Sequence, residues 1–213
     1  MNLLIKKIIT GPFQENCFII INKEVNSAIL IDPGDDEIII DDFIKNNNLK
    51  PKAIINTHSH LDHIGAINFF QEKYKIDFYL HINEEMILDS YKKSCILFGI
   101  EPKKKPVVDH WLDEETILNF KDFKLKTFNT PGHTPGGVCI LIDNFLFAGD
   151  TLFSGSVGRT DLPGGDWSTL ESSLKHLYDS LPLETIVHSG HGPDTTLLAE
   201  LNGNPYLKFL SNY

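Results

Sequence analysis

Apolar and polar positions along the 213-residue chain change their period several times. Residues 3–9, 16–21 and 27–31 are apolar, β-branched runs of strand length. A turn-rich stretch, DPGDD at 32–36, closes the third run. Residues 37–47 switch to helical spacing, with Ile40, Phe43 and Ile44 on one side. Pro51 precedes another apolar strand, KAIIN at 52–56, which delivers the chain to His58. The pattern then predicts a helix over 65–74 and a strand over 78–81.

Residues 84–105 read as helical and then irregular, and beyond Val107 the chain becomes strand-rich. FKLKTFNT at 123–130 alternates as a half-buried strand should. VCILIDNFLFAGD at 138–150 reads as a hairpin turning at Asp143-Asn144, so its second strand ends at Asp150. Residues 166–180 form a predicted helix with Asp166 as N-cap and Pro182 beyond its end. ETIVHSG at 184–190 is a last apolar strand leading to His191, and a short helix is predicted over 195–203. There is no internal repeat, low-complexity tract or obvious linker. Strands with helices inserted in both halves predict an α+β fold, two sheets packed together with helices on their outer faces.

Composition narrows the function classes. Hydrophobic content of 41% and charged content of 23% are ordinary for a globular protein long enough to bury a substantial core. A formal charge of −10 disfavours nucleic acid and anionic membrane as partners, since both need clustered Lys and Arg. The run Lys103-Lys104-Lys105 reads as a solvated loop. Cys17, Cys95 and Cys139 have no framework spacing and are expected as reduced packing residues, in a cytoplasmic protein. The N-terminal run is too short and strand-like for a signal peptide, and no run approaches the roughly 18 apolar residues of a spanning helix.

The candidate chemistry begins at THSHLDHIG, residues 57–65, with three histidines and one aspartate. In an extended segment residues i and i+2 point the same way, so His58 and His60 can present both imidazoles to one metal ion. Asp62 and His63 come after the turn and are expected to face a neighbouring space. Imidazole with carboxylate suits zinc, iron or manganese. Four ligands do not complete two sites, and three further candidates lie at predicted strand ends. They are His133 in TPGHTPGG, Asp150 in FLFAGDT, where a carboxylate could bridge two metals, and His191 in VHSGHGPDTT. His81, His110, His176 and His188 are assigned no role in the site.

Taken in order, THSHLDHIG, TPGHTPGG, FAGDTLF and SGHG resemble the metallo-β-lactamase superfamily over about two-thirds of the chain. The resemblance implies an αββα sandwich of two mixed sheets, with the metals at one edge between the sheets. It implies that His58, His60 and His133 hold a first metal, Asp62, His63 and His191 a second, and that Asp150 bridges them. AGDTLFSGSVGRTDLPGGD and the ending GHGPDTTLLAELNGNPYL are similar to small single-domain members of the glyoxalase II (hydroxyacylglutathione hydrolase) group. Larger members carry a C-terminal helical region and a Tyr and a Lys that hold glutathione. This chain runs 22 residues past His191 and has Pro193-Asp194 there, so one domain over 1–213 is expected, without a separate glutathione-binding domain.

The implied activity is thioester hydrolysis, of S-lactoylglutathione or a related acyl-thiol, by a hydroxide bridging two divalent ions, most simply zinc. Asp62 is the candidate catalytic carboxylate, orienting the nucleophile or accepting its proton. Arg159, the single arginine beside 18 lysines, is a candidate substrate contact, or a brace paired with Asp161. A mononuclear iron persulfide dioxygenase, whose members share the GRTD segment, is the alternative chemistry on this fold, and lactonases and β-lactamases are further hydrolytic options.

Overall fold

A computed structural model describes residues 2–210. Internal contacts divide the chain into two units, Met1–Asp113 with Asn119–Phe123, and Glu114–Leu118 with Lys124–Tyr213.

The first unit is built on one six-stranded sheet in sequential order. Its strands are β1 (Leu3–Thr10), β2 (Glu15–Asn22), β3 (Ser27–Ile31), β4 (Lys50–Ile55), β5 (Asp77–His81) and β6 (His110–Leu112). The first three pair antiparallel and β3 to β6 pair parallel. Parallel neighbours need crossovers, supplied here by α1 (Glu37–Asn46), by α2 (Leu61–Ile64) with α3 (Ile67–Tyr74), and by α4 (Glu85–Asp89) with α5 (Tyr91–Leu97). The period-2 alternation sorts the strand residues between two faces. Cys17, Ile19, Leu30, Ile54 and Phe78 join Ile40, Ile44, Ile67 and Phe70 of the helices in one core, while Ile20, Ile29, Ile31 and Ile55 on the other face are buried as well. Burial on both faces explains why these strands read as continuous apolar runs.

The second unit follows the same logic. After β7 (Ile117–Phe120) come β8 (Phe123–Asn129), β9 (Val138–Ile142) and β10 (Phe145–Gly149), then a small hairpin of β11 (Leu152–Phe153) and β12 (Ser156–Val157). Helix α6 (Trp167–Ser180) crosses to β13 (Ile186–Ser189), followed by β14 (Thr195–Thr196) and α7 (Leu197–Gly203). The sheet order is β14-β13-β10-β9-β8-β7, with β13 parallel to β10. Asp166 caps α6 by accepting from the Thr169 N–H at 2.8 Å. The helix buries Leu170, Leu174 and Leu177 with Cys139, Leu146, Ala148 and Val187 of the sheet.

Two sequence readings shift. The helix expected over 65–74 is two helices, the first starting at Leu61, so Asp62 and His63 lie inside a helical turn rather than ahead of it. The last helix begins at Leu197, because Thr195–Thr196 are drawn into pairing with β13. Lys103, Lys104 and Lys105 are exposed as expected, yet each lies beside an acid: Asp35 and Glu37, Glu72, and Asp89. All three cysteines are free and buried. Among the described residues no helix is long and apolar enough to cross a membrane.

Candidate metal centre

In the first unit the donors gather where parallel strands end. β3 and β4 run side by side with Ile31 opposite Ile55, so Asp32 and the 56–60 loop leave the sheet together. Ligand sites of open parallel sheets lie outside such carboxyl ends. Asp32 adopts a left-handed φ of 48° and is buried. Its Oδ1 accepts from the Thr57 N–H at 2.7 Å, and its Oδ2 accepts from Thr57 Oγ1 at 2.5 Å. His63 Nδ1 lies 3.1 Å from the same Oδ2.

These contacts dictate tautomers. The one hydroxyl proton of Thr57 goes to Asp32, so Thr57 Oγ1 must accept from His58 Nδ1, 3.1 Å away. His63 Nδ1 must likewise carry a proton to meet the Asp32 carboxylate. In both rings Nε2 is left as the lone-pair nitrogen, the arrangement that carboxylate partners impose on metal-binding histidines. The His58 ring centroid lies 4.9 Å from that of His60 and 4.1 Å from that of His63, so the three imidazoles form one contiguous group. Asp62 Oδ2 is 3.9 Å from His63 Nε2.

The loop is pinned from several sides. Asn56 Nδ2 donates to the His63 carbonyl at 2.8 Å, and buried Glu84 accepts from both Ser59 N and Oγ at 2.8 Å. A Cβ on Gly34 would stand 1.7 Å from the Asp62 carbonyl oxygen, so only glycine lets the DPG turn touch the helix carrying Asp62. Glu15 accepts from Thr10 Oγ1 at 2.6 Å. Burial pushes its carboxyl well above the usual range; His63 draws it back and Asp32 raises it again.

In the second unit β8, β10 and β13 all point the same way, and each of their carboxyl ends releases one candidate. His133 follows β8, Asp150 directly follows β10, and His191 follows β13. Asp150 Oδ2 is 3.5 Å from His133 Nε2 and 3.6 Å from His191 Nε2. Those separations are long for hydrogen bonds. They match the roughly 3.4 Å edge between two ligands about 2.1 Å from one tetrahedral ion. His133 Nδ1 donates to the Arg159 carbonyl at 2.7 Å, which again leaves Nε2 as the lone-pair nitrogen. Gly158 makes this possible, since a Cβ there would stand 1.9 Å from the Asp150 carbonyl oxygen.

Within each unit the donor types suit a divalent metal, the tautomers of His58, His63 and His133 leave Nε2 as the lone-pair nitrogen, and in the second unit the spacing about Asp150 suits it too. Asp32, Thr57, Glu84 and Gly158 belong to this machinery and were not singled out by sequence. The Arg159 side chain forms a two-pronged pair with Asp161, at 2.6 and 2.7 Å, and is exposed. His188, whose Nδ1 is 3.1 Å from Asp194 Oδ2, stacks on Phe145 and Phe147.

The metallo-beta-lactamase superfamily model matches residues 10–191. The chain belongs to this superfamily. It is 40% identical over 210 residues to the "Probable metallo-hydrolase YqgX" of Bacillus subtilis, covering 97% of this chain and 98% of the relative. It is 34% identical over 199 residues to the "Hydroxyacylglutathione hydrolase GloC" of Haemophilus influenzae, covering 92% and 93%. Among solved structures it is similar to BLEG-1 B3 metallo-beta-lactamase, with TM-score 0.90, 39% identity and coverage of 96% and 100%. It is also similar to TTHA1623 in a di-iron-bound form, with TM-score 0.86, 38% identity and coverage of 95% and 100%. The fold is thus the metallo-β-lactamase fold, α+β with two mixed sheets, as the motifs implied. At the coarse level the chain is a metallo-hydrolase of this superfamily.

Proposed function

We propose that the two units act as halves of one domain whose donors hold two divalent ions and hydrolyse a thioester of the hydroxyacylglutathione type. His58, His60 and His133 would take one ion, Asp62, His63 and His191 the other, and Asp150 would bridge. The observation that carries this reading is the Asp150 carboxylate oxygen at 3.5 and 3.6 Å from the Nε2 atoms of His133 and His191. The GloC relative supports the substrate class, and the donor set suits zinc first, with iron and manganese also accommodated. A net charge of −10 favours a small-molecule substrate over nucleic acid or an anionic membrane, and three free cysteines favour a cytoplasmic setting.

Bound ions would supply Lewis acidity at the thioester carbonyl and lower the pKa of a water toward about 7. Asp32 and the Arg159 carbonyl keep the imidazoles of His58, His63 and His133 in the tautomer that serves such ions. The Asp62 carboxylate orients the nucleophile or takes its proton. A thiolate is a good leaving group and asks little of a general acid. Cysteine is not the nucleophile, since burial pushes the Cys17 and Cys95 thiols up and that of Cys139 to about 11.

The test is a hydrolysis screen of S-lactoylglutathione and related thioesters against lactones and penicillins, with His60→Ala and Asp150→Ala as controls. Thioester turnover that both substitutions abolish supports the assignment. Preferred turnover of a lactone or penicillin would move the substrate class, and oxygen uptake with a persulfide would replace hydrolysis by dioxygenation.

A further inference from the structure

The small hairpin that follows Asp150 has little to hold it by itself. β11 and β12 pair only Leu152 with Val157 and Phe153 with Ser156. So short a ribbon is not stable alone. Its support comes from α7, in the same unit. Glu200 is 4% exposed, and its carboxylate accepts three hydrogen bonds. Oε2 takes the Gly155 N–H and Asn204 Nδ2, both at 2.8 Å, and Oε1 takes Thr195 Oγ1 at 2.6 Å. Asn204, also buried, donates from the same Nδ2 to the Ser156 carbonyl at 2.9 Å. A buried carboxylate is tolerated where charge-assisted bonds satisfy it, and here two side chains from the end of the unit grip the tip of the hairpin.

The hairpin connects directly to the donors. Asp150 stands two residues before Leu152. At the other end, Gly158 lies against the Asp150 backbone and the His133 side chain, where a Cβ would meet the Asp150 carbonyl oxygen at 1.9 Å and His133 Cβ at 3.1 Å. Arg159 then offers the carbonyl that holds His133 Nδ1 at 2.7 Å. Ser189 of β13, two residues before His191, donates to the Leu152 carbonyl at 2.7 Å. A shift of the hairpin is thereby felt by all three donors of the second unit.

We propose that Glu200 and Asn204 are positioning residues for the metal centre, clamping residues 152–157 so that the Arg159 carbonyl keeps His133 in its ligating tautomer. The proposal rests on reading His133, Asp150 and His191 as ligands, and it adds a remote clamp to them.

Two arms test it. In the metal-free protein, nitrogen NMR of the His133 ring reads its tautomer and the exchange of its Nδ1 proton, with neither metal nor turnover required. Wild type is expected to show a protected Nδ1–H. Asn204→Ala and Glu200→Ala are expected to speed its exchange at least about tenfold, matching the loss of metal affinity of about tenfold or more that follows removal of a partner behind a ligand. Glu200→Gln can keep an oxygen toward Gly155 and Asn204 while its NH2 turns to Thr195, so it should preserve the signal. Thr195→Val removes only the bond outside the hairpin; it should lower the melting temperature and leave His133 unchanged.

The second arm is cobalt affinity by chelator competition, expected to weaken about tenfold in the two alanine variants alone. Wild-type His133 exchange and cobalt affinity in both alanine variants would overturn the proposal, whatever their melting temperatures. If Glu200→Ala does not fold, Asn204→Ala decides, because it leaves Glu200 with the Gly155 and Thr195 bonds. A His133 signal that responds while His133→Ala leaves metal binding unchanged would keep the clamp and sink the ligand reading.

Discussion

Asp32→Asn is the substitution that separates a metal-organising role for Asp32 from simple packing. Asn tolerates the left-handed φ of 48° at this position, so the backbone has no reason to move. The carboxylate now serves three donors: Thr57 N, Thr57 Oγ1 and His63 Nδ1. An amide has one acceptor and one donor end, so one side must fail. If the NH2 takes the place of Oδ2, the Thr57 hydroxyl must turn its proton to His58 Nδ1, and His63 Nδ1 must accept. Both rings then carry their proton on Nε2, the nitrogen the metal needs. If the NH2 takes the place of Oδ1, it faces the Thr57 N–H across what is now a 2.7 Å bond, and the imidazoles lose the charge that polarises them. Either way at least one charge-assisted bond is lost, a destabilisation of about 1.5–3 kcal/mol. Metal affinity should fall about 10- to 100-fold, or about 1.4–2.8 kcal/mol. The assays are urea unfolding of the metal-free protein and chelator competition for zinc. Affinity within twofold of wild type with an unchanged unfolding midpoint would refute the tautomer argument.

Other consequences are simpler to read. Gly34→Ala puts a methyl against the Asp62 carbonyl and Glu15 and should cost about 1–3 kcal/mol in denaturant unfolding while lowering metal content; a variant with wild-type midpoint and loading would show the contact to be soft. The Arg159 guanidinium holds the Asp161 carboxyl down at about 2, below the usual carboxylate range near 3.9. A depressed folded pKa means the pair's contribution is present above about pH 4 and lost as pH falls through about 2. A carboxyl-carbon NMR titration of Asp161 should therefore have its midpoint near 2, and a midpoint near 4 at low salt would mean the pair does not form. Burial raises all three thiols, so the native protein at pH 8 should be inert to a thiol reagent and yield three equivalents once denatured. A fast-reacting thiol in the native state would contradict the buried placement.

What could be read from residues alone followed the strength of local signals. β3 matches residues 27–31, and Asp166 caps α6 as its position before a helical period suggested. The four-residue helix at Leu61 is too short to show a period, so the pattern marks a helix only from Gly65 and leaves Asp62 and His63 between the turn and that helix. The two-residue strands of the 152–157 hairpin have no alternation to detect and exist through contacts with α7 and β13. Among the candidate site residues, those within dense motifs stand out in the sequence: His58, His60, Asp62, His63, His133, Asp150 and His191. Asp32 does not, for a physical reason. Its partner Thr57 lies 25 residues away and becomes a neighbour only because β3 and β4 pair parallel with their ends level. Glu84 and Glu200 were hidden in the same way, each meeting its partners only after a helix or a crossover has folded.

Metal stoichiometry of the natively purified protein, measured by elemental analysis beside Asp150→Ala, tests the two-ion centre most directly. The account predicts about two divalent ions per wild-type chain and loss of at least one in the variant. One ion or fewer in wild type, or two retained without Asp150, would contradict it.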